Sequence, residues 1–159
     1  MSAVDQKTFW RTLGERATGV TVVTAQGPDG PAGFLGLSAT HVSADPPILL
    51  VSIGKTTHAL GAVRAAGHFA INYLPAGAQA LADAFGGKSA ERGAERFKAG
   101  EWRVLETGAP VYAAALGAFD CTVEEIIERG DTSIVIGRAV ASLATGTGEP
   151  LIFFRGAMR

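Results

Sequence analysis

Residues 118–128 (AFDCTVEEIIE) and 133–143 (SIVIGRAVASL) alternate apolar and polar side chains around the turn ERGD. A period of two places successive side chains on opposite faces of a strand, so this stretch predicts a long antiparallel hairpin. Other β signals surround it. GVTVVT (19–24) is rich in β-branched residues, ILLVSI (48–53) is an apolar run between Pro46-Pro47 and Gly54, and HFAIN (68–72) and LIFF (151–154) are further strands. GPDGPAG (27–33) is a turn by composition, with a strand resuming near Phe34. Helices are fewer: an amphipathic segment over 5–16 with Phe9, Trp10 and Leu13 on one side, one over 58–66 with Thr57 as N-cap and Gly67 as terminator, and a short one over 79–85. GGKSAERGAE, from Gly86, reads as a loop or mobile helix. Strands that follow one another with so few helices between them predict a mainly β, antiparallel barrel rather than a doubly wound parallel sheet.

A chain of 159 residues with no repeat or linker suits one domain over 1–159, burying roughly two-thirds of its unfolded surface. With 18% charged residues and a net charge of -1, it lacks the basic surface that a nucleic-acid partner requires. Charges of both signs are interspersed, and no apolar run approaches the ~20 residues of a spanning helix, so no membrane partner is expected. The lone Cys121 excludes an internal disulfide, and the charged N-terminus is unlike a signal peptide. The expected compartment is the cytoplasm.

The stretch SATHVSADPPILLVSIGKTTHAL (38–60) carries hydroxyls, a stiff Pro-Pro corner, a buried strand and Lys-Thr-Thr. Its GKTT resembles the end of a triphosphate-binding loop, but the first glycine of that motif would fall on Leu49, inside the strand. What survives is a simpler phosphate site of Lys55, two threonine hydroxyls and the first amides of a helix, set against the plainer possibility that Thr57 only caps the helix and Lys55 is solvated. GTGEP (146–150) lacks the third glycine and the helix of a dinucleotide fingerprint. His41, His58 and His68 have no spacing for zinc, Cys121 reads as a small core residue, and no serine stands in a nucleophile elbow. Asp45, before two prolines, reads as a turn cap. Hydroxyl-rich loops beside buried strands, without an acid–base pair, suit either a binding module or an enzyme whose cofactor carries the chemistry.

At this point the chain resembles the short-chain NAD(P)H:flavin oxidoreductases, reductase components of two-component flavin monooxygenases, which have an FMN-binding split β-barrel. RATGVTVVTA, SATHVSADPPILLVSI with Lys-Thr-Thr after it, HFAINYL, LADAF, ERFKAGEW, GAPVYAAALGAFDCTVEE, GDTSIVIGRAV and EPLIFFRGAMR carry the resemblance in order and nearly end to end. It implies that Gly36, Leu37, Ser38, Ala39 and Thr40 edge the isoalloxazine ring, that Ser52 and Ile53 lie beneath the ribityl chain, and that Lys55, Thr56 and Thr57 hold the phosphate. Phe85 and Phe154 are implied as pocket walls, each equally readable as core. It further implies NADH or NADPH as co-substrate, FMN as flavin with FAD second, a homodimer, and an oxygenase receiving reduced flavin. The rival is a non-catalytic flavin- or haem-binding module on the same barrel. One lysine near the phosphate, and no arginine clamp, suits moderate flavin affinity. The chain departs from the family at Leu35, where a polar residue is common, and at Thr132, where a histidine often meets the nicotinamide.

Overall fold

The structure, a computed structural model, describes residues 3–159. In chain order the elements are α1 (Gln6–Leu13), β1 (Thr18–Gly19), β2 (Thr21–Gly27), β3 (Gly30–Gly36), β4 (Thr40–Ala44), β5 (Pro47–Gly54), α2 (His58–Ala66), β6 (His68–Tyr73) and α3 (Gln79–Phe85). A 3-10 helix (Gly93–Ala99) and strands β7 (Trp102–Val104), β8 (Pro110–Tyr112), β9 (Gly117–Arg129), β10 (Thr132–Ala144), β11 (Ile152–Phe154) and β12 (Ala157–Met158) complete them. The predicted hairpin is β9–β10, with Gly130 at φ +60° in its turn. Helix α2 has the predicted limits, because Gly67 enters the left-handed region at φ +70° and ends it.

Seven strands form one antiparallel sheet in the order β3-β2-β6-β9-β10-β5-β4. Its two edge strands are consecutive in the chain, joined by only Leu37, Ser38 and Ala39. Four residue steps span at most about 14 Å, whereas the edges of a flat seven-stranded sheet would stand about 29 Å apart. The sheet therefore rolls until its edges approach, and because β3 and β4 do not pair it remains a split barrel. The fold is mainly β, as expected.

Inside the barrel lie Val23, Leu49, Val51, Ile53, Phe69, Ile71 and Val135, with Leu60 and Val63 of α2 packed onto them. A second cluster, built from Val20, Val22, Leu74, Leu81, Phe85 and Leu151, covers the outer face of β2. Residues 21–25 are therefore buried on both faces, which explains a continuous apolar run instead of alternation. The two threonines in that run are satisfied: Thr21 Oγ1 donates to Gly36 O (2.6 Å) and Thr24 Oγ1 to Pro110 O (2.5 Å).

Several details differ from expectation. Strand β3 resumes at Gly30, not Phe34, because Pro28 and Asp29 alone make the turn, with Gly30 at φ +119°. Residues 40–44 are not a loop flanking the 48–53 strand but its hairpin partner, paired from Thr40↔Leu50 to Ala44↔Pro47. The polar, exposed character of this edge strand hides it from a periodicity reading. Helix α1 stops at Leu13 and buries none of its residues; Phe9 and Trp10 are exposed and meet edge-to-face at 5.3 Å.

Candidate functional site

At Gly54 strand β5 gives way to a tight turn, closed by the Thr57 N–H donating to Gly54 O (2.9 Å), and α2 begins at once. Thr57 is extended (φ −72°, ψ 122°), as an N-cap must be, yet its hydroxyl makes no cap bond. The His58 and Ala59 amides also find no backbone acceptor among the described residues. The positive end of a nine-residue helix is thus left open.

That open end forms one wall of a cleft of about 560 Å³. Thr56, Thr57 and His58 face Ala32, Gly33 and Phe34 of β3, while Phe85, Gly86 and Gly87 close the floor and Arg92 and Arg96 enter from the 3-10 segment. Gly33 is required here, since a Cβ would lie 2.8 Å from Phe85 Cε1. Phe85 is in turn locked edge-to-face against Phe97 (4.9 Å) and Trp102 (5.6 Å), so it serves both as core and as cleft lining. Arg92 is braced by bonds from one nitrogen to Ser89 O (2.6 Å) and Glu91 O (2.9 Å). Arg96 Nε is buried with no partner among the described residues.

The remaining predicted residues, 36–40, Ser52 and Ile53, lie farther along the same two chain segments, outside the cleft lining. Past Phe34 the chain reaches Gly36, buried against Thr21 and Val23, and then the linker whose Leu37, Ser38 and Ala39 amides donate to no protein acceptor among the described residues. Ser38 Oγ reaches Ser52 O at 3.3 Å, so the 36–40 and 52–57 segments meet, and Thr40 stands exposed at the start of β4. Side chains divide differently: Ile53 is fully buried in the barrel core and Ala39 packs against it, leaving only their backbones for a ligand. Leu37 packs against the second cluster.

Two residues sit otherwise than expected. Lys55 does not line the cleft; its ammonium lies 3.3 Å from Glu128 Oε2, because the hairpin end lies beside Gly54 and Glu128 is the anion it offers. Glu128 is also bonded by Arg64 and by Ser133 Oγ (3.0 Å), and Arg64 foremost, then Ser133 and Lys55, hold its carboxyl below the usual range. Phe154 lies in the small β1-β11-β12 sheet beneath the Arg155 guanidinium (4.8 Å) and is not a cleft residue. Thr132 pairs with Gly54, and Asp131 O accepts from the Lys55 N–H (2.9 Å), so the hairpin turn adjoins the loop between β5 and α2. The sequence reading, which named no arginine near the phosphate, missed Arg92 and Arg96, both of which line the cleft with Thr56 and Thr57. Arginines four apart in ERGAERF, on a segment ending in the buried Phe97, were the available signal.

Cys121 is fully buried, and burial foremost, with Asp120 beside it, pushes its thiol up to about 12, so it is no nucleophile at neutral pH. Among the described residues no group of three His, Cys, Asp or Glu gathers as a metal site, and no helix is long and apolar enough to cross a membrane.

Two guanidiniums, one with an orphaned N–H, two hydroxyls and an uncapped helix start converge in the cleft, an arrangement that fits the phosphate of a phosphorylated ligand such as a flavin nucleotide. Residues 13–159 match the family model described as flavin reductase like domain. The chain is 36% identical over 152 residues to the FMN reductase (NADH) RutF of Ancylobacter novellus, covering 96% of this chain and 83% of that protein. It is 35% identical over 160 residues to HsaB of Mycobacterium tuberculosis, the reductase subunit of a flavin-dependent monooxygenase, covering 98% and 83%. The solved structure of the Streptomyces globisporus NADH:FAD oxidoreductase SgcE6, in complex with NAD and FAD fragments, superposes with a TM-score of 0.88 at 31% identity, covering 100% of this chain and 96% of that one. With a family model matched over nearly its whole length and relatives above 30% identity, the chain belongs to the flavin reductase like domain family.

Proposed function

We propose that this protein is an NAD(P)H-dependent flavin reductase that passes hydride from a nicotinamide to FMN, or to FAD, and supplies reduced flavin to a partner monooxygenase. The observation that carries the reading is the convergence of Arg92, Arg96, Thr56, Thr57 and the open start of α2 in one cleft. Bound flavin supplies the two-electron acceptor, and the nicotinamide is released oxidised. The protein's residues orient and polarise. The guanidiniums and helix amides take the phosphate, and the Leu37–Ala39 amides are donors for the ring edge where negative charge develops. Thr132, at the head of β10 beside the phosphate loop, is the proposed nicotinamide contact. No ionisable side chain needs to move a proton.

The test is a titration of the apoprotein with FMN, FAD and riboflavin. Riboflavin, lacking the phosphate, is expected to bind weakest; equal affinities for all three would remove the role given to the phosphate end of the cleft.

The working unit of this proposal is a homodimer. The exposed apolar residues Phe9, Trp10 and Leu13 of α1, together with Val42 on the β4 edge and Val140 on β10, support a second copy as their cover. Light scattering on the eluted protein at micromolar concentration reads the assembly directly, and a stable monomer there rejects it.

A further inference from the structure

Near the end of β9, Glu128 faces Ser133 across the hairpin. Ser133 is fully buried, and its Oγ lies 3.1 and 3.0 Å from the two carboxylate oxygens of Glu128. Two cations from other elements meet the same carboxylate. Arg64, in the last turn of α2, donates to Oε1, and the Lys55 ammonium stands 3.3 Å from Oε2. The Lys55 backbone is fixed as well, since its N–H donates to Asp131 O at 2.9 Å. An isolated exposed ion pair gains little, because two long side chains must be ordered to form it. Here Ser133 and Arg64 already hold the carboxylate, so the Lys55 side chain alone has to be ordered.

The loop between β5 and α2 is divided by this arrangement. Thr56 and Thr57 line the cleft, whereas Lys55, one residue earlier, is drawn to the hairpin side. We infer that Glu128 is a positioning residue that restrains Lys55 from the phosphate end of the cleft and thereby keeps flavin binding weak enough for release. The inference rests on the flavin-reductase reading above and extends it to the exchange of flavin. A phosphate that recruits Lys55 must first open the pair with Glu128, so its apparent affinity falls with the fraction of molecules in which that pair is open. An enzyme that hands on its flavin gains from that loss, since Arg92, Arg96, the helix start and a free lysine together would hold a phosphate dianion tightly.

Glu128→Gln keeps the side chain's length and an oxygen that can accept from Ser133 or Arg64, while removing the charge that holds the ammonium. Glu124→Gln is the control for the loss of one negative charge, since Glu124 lies on the same strand and pairs with Arg138 instead. A thermal melt checks that each variant is folded. Glu128→Gln is expected to bind FMN about three- to ten-fold more tightly than wild type, through slower dissociation, with riboflavin affinity unchanged. In a Lys55→Ala background the same substitution should give no gain, and Glu124→Gln should leave FMN affinity as it is. Unchanged FMN affinity in Glu128→Gln overturns the inference. So does a gain that survives Lys55→Ala, that Glu124→Gln reproduces, or that riboflavin shares, because each removes the restraint on Lys55 as its cause. Failure of wild-type protein to bind FMN at all would instead overturn the underlying flavin reading.

Discussion

Replacing Arg92 and Arg96 together by alanine should weaken FMN binding by roughly 30- to 1000-fold and leave riboflavin binding nearly unaffected. Each guanidinium offers a charge-assisted, fork-shaped contact worth about 1.5–3 kcal/mol, and the two losses should sum incompletely because the residues share one anion. Both line the cleft opposite the α2 start, and Arg96 Nε has no partner among the described residues to compensate it. Arg96→Lys should recover only part of the affinity, because a point charge cannot reproduce the fork. Lys55→Ala is expected to cost less than either arginine. Its ammonium is committed to Glu128 in an exposed pair 3.3 Å apart, so it must leave one partner to reach another. A double variant that loses FMN and riboflavin affinity in equal measure would show that the arginines support the fold and not the phosphate.

The largest stability effect is expected at Phe69. Its side chain is fully buried in the barrel core, on a strand that pairs with both β2 and β9, and Phe69→Ala should cost about 3–5 kcal/mol. The ring rests on Gly137 of β10, where an added Cβ would lie 2.6 Å from Cε1 and 2.7 Å from Cζ. Gly137→Ala should therefore destabilise by about 1–3 kcal/mol through overpacking. The two changes should also be coupled: alanine at 137 should be tolerated far better once the ring is gone. Urea unfolding of the two single variants and the double variant reads this, as a shift of the midpoint at unchanged slope. Additive costs, or a loss below about 1 kcal/mol for Phe69→Ala, would contradict the packing described.

The elements legible in the sequence were those with a strong local signal. The β9–β10 hairpin declared itself by alternation around Gly130, α2 by its Thr57 and Gly67 ends, and the barrel class by strands following strands. Strand β4 was not legible because an exposed, polar edge strand takes its structure from pairing with β5, a tertiary fact. Strands β7, β8 and β12 have three, three and two residues, too few to show a period. In the candidate site, Thr56 and Thr57 were readable from helix-start chemistry alone. Arg92 and Arg96 were not, since they enter the cleft from a polar, glycine-rich segment over thirty positions away in the chain. Lys55 misled for the converse reason. Its place beside the threonines suggested a shared ligand, while the partner it meets, Glu128, comes from across the sheet.

The central claim is turnover, and steady-state oxidation of NADH and NADPH with and without added FMN tests it most directly. Thr132→His, run in the same assay, should lower the nicotinamide KM or raise kcat if the β9–β10 turn meets the nicotinamide. Flavin affinity must be measured beside it, because Thr132 pairs with Gly54 at the edge of the loop that leads into α2, where the proposed phosphate site lies. For the wild-type protein the account predicts oxidation of at least one of the two nucleotides that depends on, and saturates with, added flavin. Wild-type protein that binds FMN yet oxidises neither nucleotide would contradict it, and would leave a flavin-binding module on a split barrel.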